Sequence, residues 1–298
     1  MNFRNYNGIR DIQVMLKEAG LYTAGIDGAW ETGSDRAANR LVTNYYLGVA
    51  NAPLPNIPAS SVPGDAQTQV IVKTQDLLKT AGLYTDKVDG IYGNGTKGGF
   101  RKATDTYITQ ARVPRFGHAW SKAVKPEFMK AVVAGCVARN WPAEAPDWLM
   151  SCMYFESAGT YSPSIQNKAG AKYFGLIQFG DAAATDLKTT VAELVKLSQL
   201  EQLEWVFKYF DLWVKRGKKI TQLEDFYLAI FYPAVIGKKA DEKLFDKDST
   251  NRLEAKSYLQ NNGFDRNKDG TITVGEICST IYDIYYKGMD TANRVQIV

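Results

Sequence analysis

The strongest constraint on the fold is an internal repeat near the start of the chain. The segment QVMLKEAGLYT at residues 13–23 recurs as QDLLKTAGLYT at residues 75–85. The copies continue into Asp27-Gly28-Ala29-Trp30 and Asp89-Gly90-Ile91-Tyr92. Each copy predicts a helix, a glycine stop, a tight Asp-Gly turn and a second helix, N-capped by Ser34 or Thr96. The chain therefore begins with two similar helical units.

Proline marks the boundary between the two copies. Residues 51–66 contain four of the ten prolines, at positions 53, 55, 58 and 63. Such a composition predicts a semi-rigid, extended linker. We predict a first repeat at 1–50, this linker at 51–66, a second repeat at 67–112 and a further helical domain at 121–298.

Composition limits the classes of function. A chain of 298 residues with 45% hydrophobic and 23% charged residues is an ordinary globular protein of two or three domains. No apolar run of ~18 residues is present, so we expect no membrane insertion. The net charge of +4 is small and dispersed, which argues against a nucleic-acid partner. We expect a monomer.

Histidine and cysteine usage narrows the chemistry. His118 is the only histidine, and there are three cysteines. Zinc hydrolases use two or three imidazoles with a carboxylate or thiolates, so the sequence argues against a zinc amidase or peptidase. Three scattered cysteines also make no disulfide framework. Cys136 and Cys152 lie among apolar residues and are predicted to be small core residues.

One carboxylate occupies an otherwise apolar helical face. After Pro146, the residues Leu149, Cys152, Met153 and Glu156 recur at helical spacing, and a stop follows at residue 159. Apolar surroundings and the negative end of the helix dipole predict a raised pKa for Glu156. A carboxylic acid needs such a pKa to donate a proton near neutral pH. The alternative is a surface glutamate on a fraying helix.

Three short motifs follow one another in a familiar order. They are Glu156-Ser157, then Gly175-Leu176-Ile177-Gln178, then Ala229-x-x-Tyr232. This order resembles that of the lysozyme-like lytic transglycosylases. The repeats resemble three-helix peptidoglycan-binding modules, and the whole arrangement resembles the modular endolysins of large bacteriophages. The resemblance implies a mainly all-α fold, with two such modules ahead of a lysozyme-like helical catalytic domain.

The resemblance also implies a reaction and a role for each motif residue. A lytic transglycosylase cleaves the MurNAc-GlcNAc β-1,4 bond of bacterial peptidoglycan, leaves a 1,6-anhydro end and requires no cofactor. Glu156 would be the acid, Ser157 would contact the sugar, Gln178 would hold a substrate amide or hydroxyl, and Tyr232 would lie near the scissile oxygen. The family commonly follows its tyrosine with Asn, whereas this chain has Pro233.

Each of these roles has a structural alternative. Ser157 could bond a nearby backbone carbonyl, Gln178 could be a buried amide, and Tyr232 could be a core aromatic. In the repeats, Asp27 and Asp89 are expected to cap their turns rather than contact sugar. Four repeat aromatics could equally stack on sugars or pack in the core, namely Tyr22, Trp30, Tyr84 and Tyr92. Glu31 replaces the glycine that the module family has after its aromatic.

A loop near the C-terminus fills the calcium-binding EF-hand template. Twelve positions run from Asp265 to Glu276, with Gly270 at position 6. The predicted ligands are Asp265, Asn267, Asp269, the Thr271 carbonyl and Glu276. Arg266 and Lys268 reduce the negative charge of the loop, so we expect modest Ca²⁺ binding. The alternative is a loop that keeps the EF-hand fold and binds calcium weakly or not at all.

Two rival functions remain open. The nearer is a hydrolytic muramidase of the same fold, in which Asp181 activates water. The other is a non-enzymatic wall-binding or virion protein, which the intact Glu156-Ser157 pair argues against. Residues 1–8 lack the apolar region of a secretion signal. We therefore expect synthesis in a host cytoplasm and action on the wall after release, or carriage in the virion.

Overall fold

Helices dominate the protein, as the sequence predicts. The computed structural model describes residues 3–166 and 172–297. Within them the chain divides into two compact units, one comprising Met1–Gly117 with Asp290–Val298 and the other His118–Met289. We call these the repeat unit and the central unit. No helix of the described residues is both long and apolar enough to cross a bilayer.

The repeat unit contains four helices and one short strand pair. In chain order these are α1 Phe3–Glu18, α2 Thr32–Ala50, α3 Ala66–Thr80, α4 Asn94–Ala111 and β1 Arg115–Phe116, and the last strand of the chain, β4 Gln296–Ile297, pairs antiparallel with β1.

In the part of the central unit that the structure describes, there are eight helices and a second strand pair. They are α5 Pro126–Ala138, α6 Ala145–Glu156, α7 Asp181–Asp186, α8 Val191–Leu194, α9 Gln199–Lys215, α10 Leu223–Phe231, β2 Lys243–Asp246, α11 Arg252–Asn261, β3 Thr271–Thr273 and α12 Val274–Met289, with β2 antiparallel to β3. Helices predominate in this region, as predicted, but residues 157–165 and 232–251 are mostly turns and irregular structure that the expectation of helix did not include.

The two repeats share one hydrophobic core. Ile12 and Leu41 of the first repeat and Leu78 and Phe100 of the second are fully buried in the same cluster. Each repeat supplies two helices, not three. The prediction of two separate three-helix modules is therefore wrong in this respect. A single repeat has too little apolar surface to bury alone, and pairing closes one core over both.

A buried glutamine holds the Asp-Gly turn of each repeat. The amide of Gln13 donates to the Ala29 carbonyl (2.8 Å) and accepts from the Gly28 N–H (2.9 Å). Gln75 makes the equivalent bonds, to the Ile91 carbonyl (3.1 Å) and from the Gly90 N–H (2.9 Å). Because both amides are fully buried, these bonds satisfy turn groups that would otherwise be orphaned.

The linker is attached to the second repeat. The Ser60 backbone N–H and hydroxyl both donate to the Asp76 carboxylate, at 2.9 and 2.6 Å. The Gln69 amide donates to the Val62 carbonyl (2.8 Å). Leu54 and Val62 pack against the shared core. The segment contains no helix or strand up to Asp65, and these contacts fix it to the repeat unit.

The last residues of the chain belong to the repeat unit, whereas the sequence assigned them to the domain at 121–298. Arg294 donates to the Glu18 carboxylate (2.6 Å) and to the Gly117 carbonyl (2.5 Å). Arg101 is the second partner of Glu18 (2.5 Å). The pKa of Glu18 is lowered, because the two guanidinium groups outweigh the effect of burial, which alone would raise it. A motif search could not find this pairing, because its partners lie at opposite ends of the chain.

Helix α6 lies at the centre of the second unit. It packs against α5, α10 and α12. Leu149, Cys152 and Met153 are fully buried, as the helical spacing predicts. Helix α9 packs against α5 and α10. Its start is fixed by a capping box in which Ser198 and Glu201 bond each other's backbone N–H.

Candidate functional site

Glu156 is the last residue of α6, and its carboxyl has an apolar environment. The helix begins at Ala145 with Pro146 in its first turn and ends before Ser157, close to the predicted limits. Glu156 is half-buried, and burial raises the pKa of its carboxyl to about 8. This agrees with the raised pKa that the sequence predicts. At neutral pH such a group carries a proton and can donate it.

Ser157 has no exposed surface and bonds the backbone on both sides. Its hydroxyl donates to the Met153 carbonyl (2.6 Å) and accepts from the Tyr161 N–H (2.9 Å). The prediction that Ser157 contacts sugar is therefore wrong, because both bonds are internal and the side chain is buried. Instead, Ser157 fixes the turn that follows Glu156. Ala158 and Gly159 adopt positive φ in this turn.

Gln178 lies in the turn that the second motif forms. Its amide nitrogen donates to the Gly175 carbonyl (3.1 Å) and the Ile165 carbonyl (3.3 Å). Its Oε1 is buried and finds no hydrogen-bond partner among the described residues. Gln178 has a φ of 55°, in the left-handed region that few non-glycine residues adopt. The half-buried amide thus stitches the turn, whereas the structural alternative expected a buried amide between two helices, and its Oε1 remains as one acceptor.

Gln202 of α9 positions the same turn and was not foreseen from the sequence. Its Oε1 accepts from the Leu176 N–H (2.8 Å), and its amide nitrogen donates to the carbonyls of Pro163 and Leu194 (both 2.9 Å). A Cβ at Gly175 would collide with this amide. The glycine of the motif is therefore required by close packing against Gln202.

A cleft of about 450 Å³ borders the second motif in the central unit. Gln178 and Asp181 both line it, and Asp181 is an exposed residue at the start of α7. Tyr209 also lines the cleft, and its hydroxyl donates to the Ala229 carbonyl (2.7 Å). Burial raises the pKa of Tyr209 to about 12, and the negative charge of Glu156 contributes. The full lining is Lys172, Tyr173, Ile177, Gln178, Phe179, Gly180, Asp181, Ala182, Ala183, Asp186, Tyr209, Trp213, Ile230, Phe231 and Pro233.

Tyr232 is exposed, and its ring stacks on Phe245 (6.1 Å between centroids). The alternative of a core aromatic is therefore wrong for Tyr232. The buried tyrosine nearest in sequence is Tyr227, whose pKa is raised by burial, with a contribution from Glu156. The negative charge of ionised Glu156 therefore adds to the rise in the pKa of Tyr227. No sequence motif identified Tyr227.

Three of the four repeat aromatics pack in the shared core. Tyr22, Tyr84 and Tyr92 are at most 8% exposed and belong to the core cluster, so sugar stacking is the wrong alternative for them. The hydroxyls of Tyr22 and Tyr84 donate to the Gly25 and Lys87 carbonyls. Trp30 is only partly buried. Asp27 and Asp89 cap their turns by accepting from Ala29 and Ile91 N–H groups (both 2.9 Å).

The EF-hand-like loop lies between α11 and α12 and includes β3. Asp265 Oδ2 accepts from the Tyr258 hydroxyl (2.7 Å) and the Gly270 N–H (2.9 Å), and these bonds lower the pKa of Asp265. Glu276 accepts from the Arg266 N–H (3.1 Å) and the Thr273 N–H (3.0 Å). Gly270 has a φ of 89°, which the sharp turn at position 6 requires.

The loop has only some of the features that a calcium site requires. Across residues 3–166 and 172–297, no three His, Cys, Asp or Glu side chains converge as a metal-binding group. Glu276 is bonded to the backbone. However, Oδ1 of Asp265 is buried and has no hydrogen-bond partner among the described residues. A buried carboxylate oxygen of this kind is a suitable ligand for a hard cation.

Comparison with known proteins adds no family assignment. No protein-family profile and no curated protein matches this sequence.

Proposed function

We propose that the protein is a peptidoglycan lytic transglycosylase that cleaves the MurNAc-GlcNAc β-1,4 bond, anchored to the wall by its repeat unit. The observation that carries this proposal is Glu156, a half-buried acid with a pKa of about 8 at the end of a buried helix. The order of the three motifs supports it. The same features are those of a modular bacteriophage endolysin, made in the host cytoplasm and acting on the wall.

The proposed mechanism uses one carboxyl group twice. Protonated Glu156 donates its proton to the glycosidic oxygen while the bond from that oxygen to the muramyl C1 breaks. The resulting carboxylate then takes the proton of the muramyl C6 hydroxyl, whose oxygen forms a new bond to C1. The products are a free GlcNAc hydroxyl and a 1,6-anhydro-muramyl end. Glu156 regains its proton, and no water is consumed.

The surroundings of Glu156 suit both steps. Burial keeps the proton on the carboxyl until the glycosidic oxygen takes it. Ser157 holds the following turn through the Met153 carbonyl and the Tyr161 N–H. The cleft beside Gln178, whose lining does not include Glu156, offers space for part of the glycan. Its volume of about 450 Å³ is within the range of roughly 300–1,000 Å³ found for ligand pockets.

A hydrolytic muramidase is the second candidate, because Asp181 lines the same cleft as Gln178. In that reaction the carboxylate would activate a water molecule to attack C1. We favour transglycosylation, since Asp181 is exposed, whereas Glu156 alone can serve as both acid and base in that reaction.

Product analysis separates the two reactions. Peptidoglycan digested with the full chain should release muropeptides that end in 1,6-anhydro groups, weigh one water less than hydrolysed products and resist borohydride. Glu156→Gln should reduce release by at least ~10²-fold, the lower end for a general acid–base group. Reducing ends in the early products would favour hydrolysis through Asp181. Near-normal turnover of Glu156→Gln would contradict both reactions.

We also propose that the EF-hand-like loop binds one Ca²⁺ with modest affinity. Asp265, Asn267, Asp269, Thr271 and Glu276 would supply the ligands, and the unpartnered Oδ1 of Asp265 supports the assignment. Glu276 would have to exchange its bonds to the Arg266 and Thr273 N–H groups for the ion. The ion would stabilise the loop, and catalysis would not require it.

A further inference from the structure

A small cleft lies between the two repeats, inside the repeat unit. It has a volume of about 200 Å³ and is bordered by Trp30, Asp35 and Asn39 of the first repeat, Ile57 of the linker, and Lys73 and Leu77 of the second repeat. It is formed only when both repeats and the linker are folded together. No single repeat contains it.

The two repeats are unequal at this cleft. Trp30 and Tyr92 hold the same position in their repeats, but Tyr92 packs over Gly8, where any Cβ would collide with its ring. Trp30 remains partly exposed at the cleft. Its indole N–H points to Asp35 Oδ1 at 3.4 Å, which orients the ring. The pair of repeats thus presents one indole to a ligand.

The lining has the chemistry of a carbohydrate site. An indole face accommodates the C–H face of a pyranose ring, as aromatic side chains do with apolar surfaces generally. The Asp35 carboxylate, the Asn39 amide and the exposed Lys73 ammonium can bond hydroxyl and acetamido groups. The volume of about 200 Å³ is below the roughly 300–1,000 Å³ of drug-sized pockets, so it fits one sugar ring at a time.

We propose that this inter-repeat cleft binds one N-acetylhexosamine ring of a glycan chain. The proposal rests on the proposed function, because the glycan would be that of the wall. A one-ring site is weak by itself. On a polymer it becomes effective through the high local concentration of rings once the catalytic unit is engaged.

Fluorine NMR can detect the ligand at the cleft itself. Trp30 is the only tryptophan among residues 1–117 and 290–298. We would label the full-length Glu156→Gln chain with 5-fluorotryptophan, assign Trp30 with Trp30→Phe, and titrate N-acetylglucosamine oligomers. The Trp30 resonance should shift and saturate. A Trp30 resonance that stays fixed at saturating oligomer would overturn the proposal.

Asparagine variants provide a matched pair. Asn39 and Asn44 lie on the same helix, and each amide donates to the carbonyl four residues earlier, but only Asn39 borders the cleft. Asn39→Ala should weaken oligomer binding ~5-fold, the order expected for one hydrogen bond, and Asn44→Ala should leave it unchanged. Equal effects of the two variants would contradict the site. Lys73→Ala, on an exposed side chain, gives a second test if Asn39→Ala fails to fold.

Wall binding and wall cleavage must be measured separately. In the Glu156→Gln background, Trp30→Ala should reduce sedimentation with purified sacculi roughly 5- to 10-fold, the order of one aromatic contact. Trp205→Ala, at a partly buried indole of the central unit, should not.

Sugar binding at Trp30 without product release by the intact chain would refute the proposed enzyme and leave the cleft standing. Lysis with no effect of Trp30→Ala on binding would refute the cleft alone. Binding to N-acetylglucosamine oligomers but not to sacculi would identify a chitin-type glycan instead.

Discussion

Ser157 fixes the backbone next to Glu156. Its hydroxyl closes a bond on each side of the helix end, to the Met153 carbonyl and from the Tyr161 N–H. The turn between them passes through Ala158 and Gly159 at positive φ, conformations that need support from their surroundings. The buried Ser157 hydroxyl therefore fixes the path of the backbone immediately after Glu156.

Replacing Ser157 by Ala should destabilise the central unit by ~1–3 kcal/mol, because the Tyr161 N–H is left buried without a partner. Ser151→Ala is the matched control, since the buried Ser151 hydroxyl only donates to the Asp147 carbonyl (2.7 Å). Denaturant unfolding of the two variants gives the comparison. Equal losses of stability would show that the bond to Tyr161 contributes nothing.

Glu156 should also make stability depend on pH. Its pKa of about 8 in the folded chain exceeds the ordinary 4.5, so the folded state binds the proton more tightly than the unfolded state. This stabilisation is complete below the unfolded pKa and is lost as pH rises from about 4.5 to about 8. Glu156→Gln should therefore raise the melting temperature more at about pH 9 than at about pH 5. The same gain at both values would mean that the carboxyl is not perturbed.

At the scale of single elements, α12 joins the EF-hand-like loop to the rest of the central unit. Glu276 lies in its first turn, and the helix packs against both α6 and α10. Tyr282 of α12 donates to the Glu224 carboxylate of α10 (2.8 Å). Stabilising the loop should consequently stabilise the unit that contains Glu156.

Calcium should raise the melting temperature if the loop binds it, because an ion that binds only the folded state adds stability. An ion at a hundredfold excess over its dissociation constant adds ~2.7 kcal/mol to the stability of the folded state. Calorimetry in calcium and in chelator measures the shift. Glu276→Gln should abolish it, whereas magnesium should not reproduce it. No shift in the parent chain would identify the loop as one that keeps its fold without binding the ion.

The sequence predicts local features well and long-range partners poorly. The limits of α6 and the environment of Glu156 follow from periodicity, because both depend on neighbouring residues. The role of Gln202 does not, because its partners Leu176 and Pro163 lie far away in the chain. The packing of the repeat aromatics could not be predicted for the same reason. Tyr92 packs over Gly8 of the other repeat, and no pattern within one copy encodes that contact.

At the scale of the whole molecule, the chain passes between its two units twice. The first passage is at Gly117 and His118, and the second at Met289 and Asp290. The repeat unit is therefore discontinuous in sequence, and removing residues 1–112 alone would leave Arg294 without Glu18. Testing the proposed separation of wall binding from catalysis requires His118–Met289 to be expressed without both flanking segments.

Arg294 helps to attach the C-terminal segment to the repeat unit, together with the pairing of β4 with β1. It is 6% exposed and bonds Glu18, which is itself buried. Removing one partner of a buried ion pair costs ~3–5 kcal/mol, and here Arg101 would compensate in part. Arg294→Ala should lower the unfolding temperature of the repeat unit and expose residues 1–117 to limited proteolysis. Lys238→Ala breaks an exposed pair with Glu242 and should cost no more than ~1 kcal/mol. If the Arg294→Ala and Lys238→Ala chains resisted protease equally, the bond between Arg294 and Glu18 would not be needed for the stability of the repeat unit.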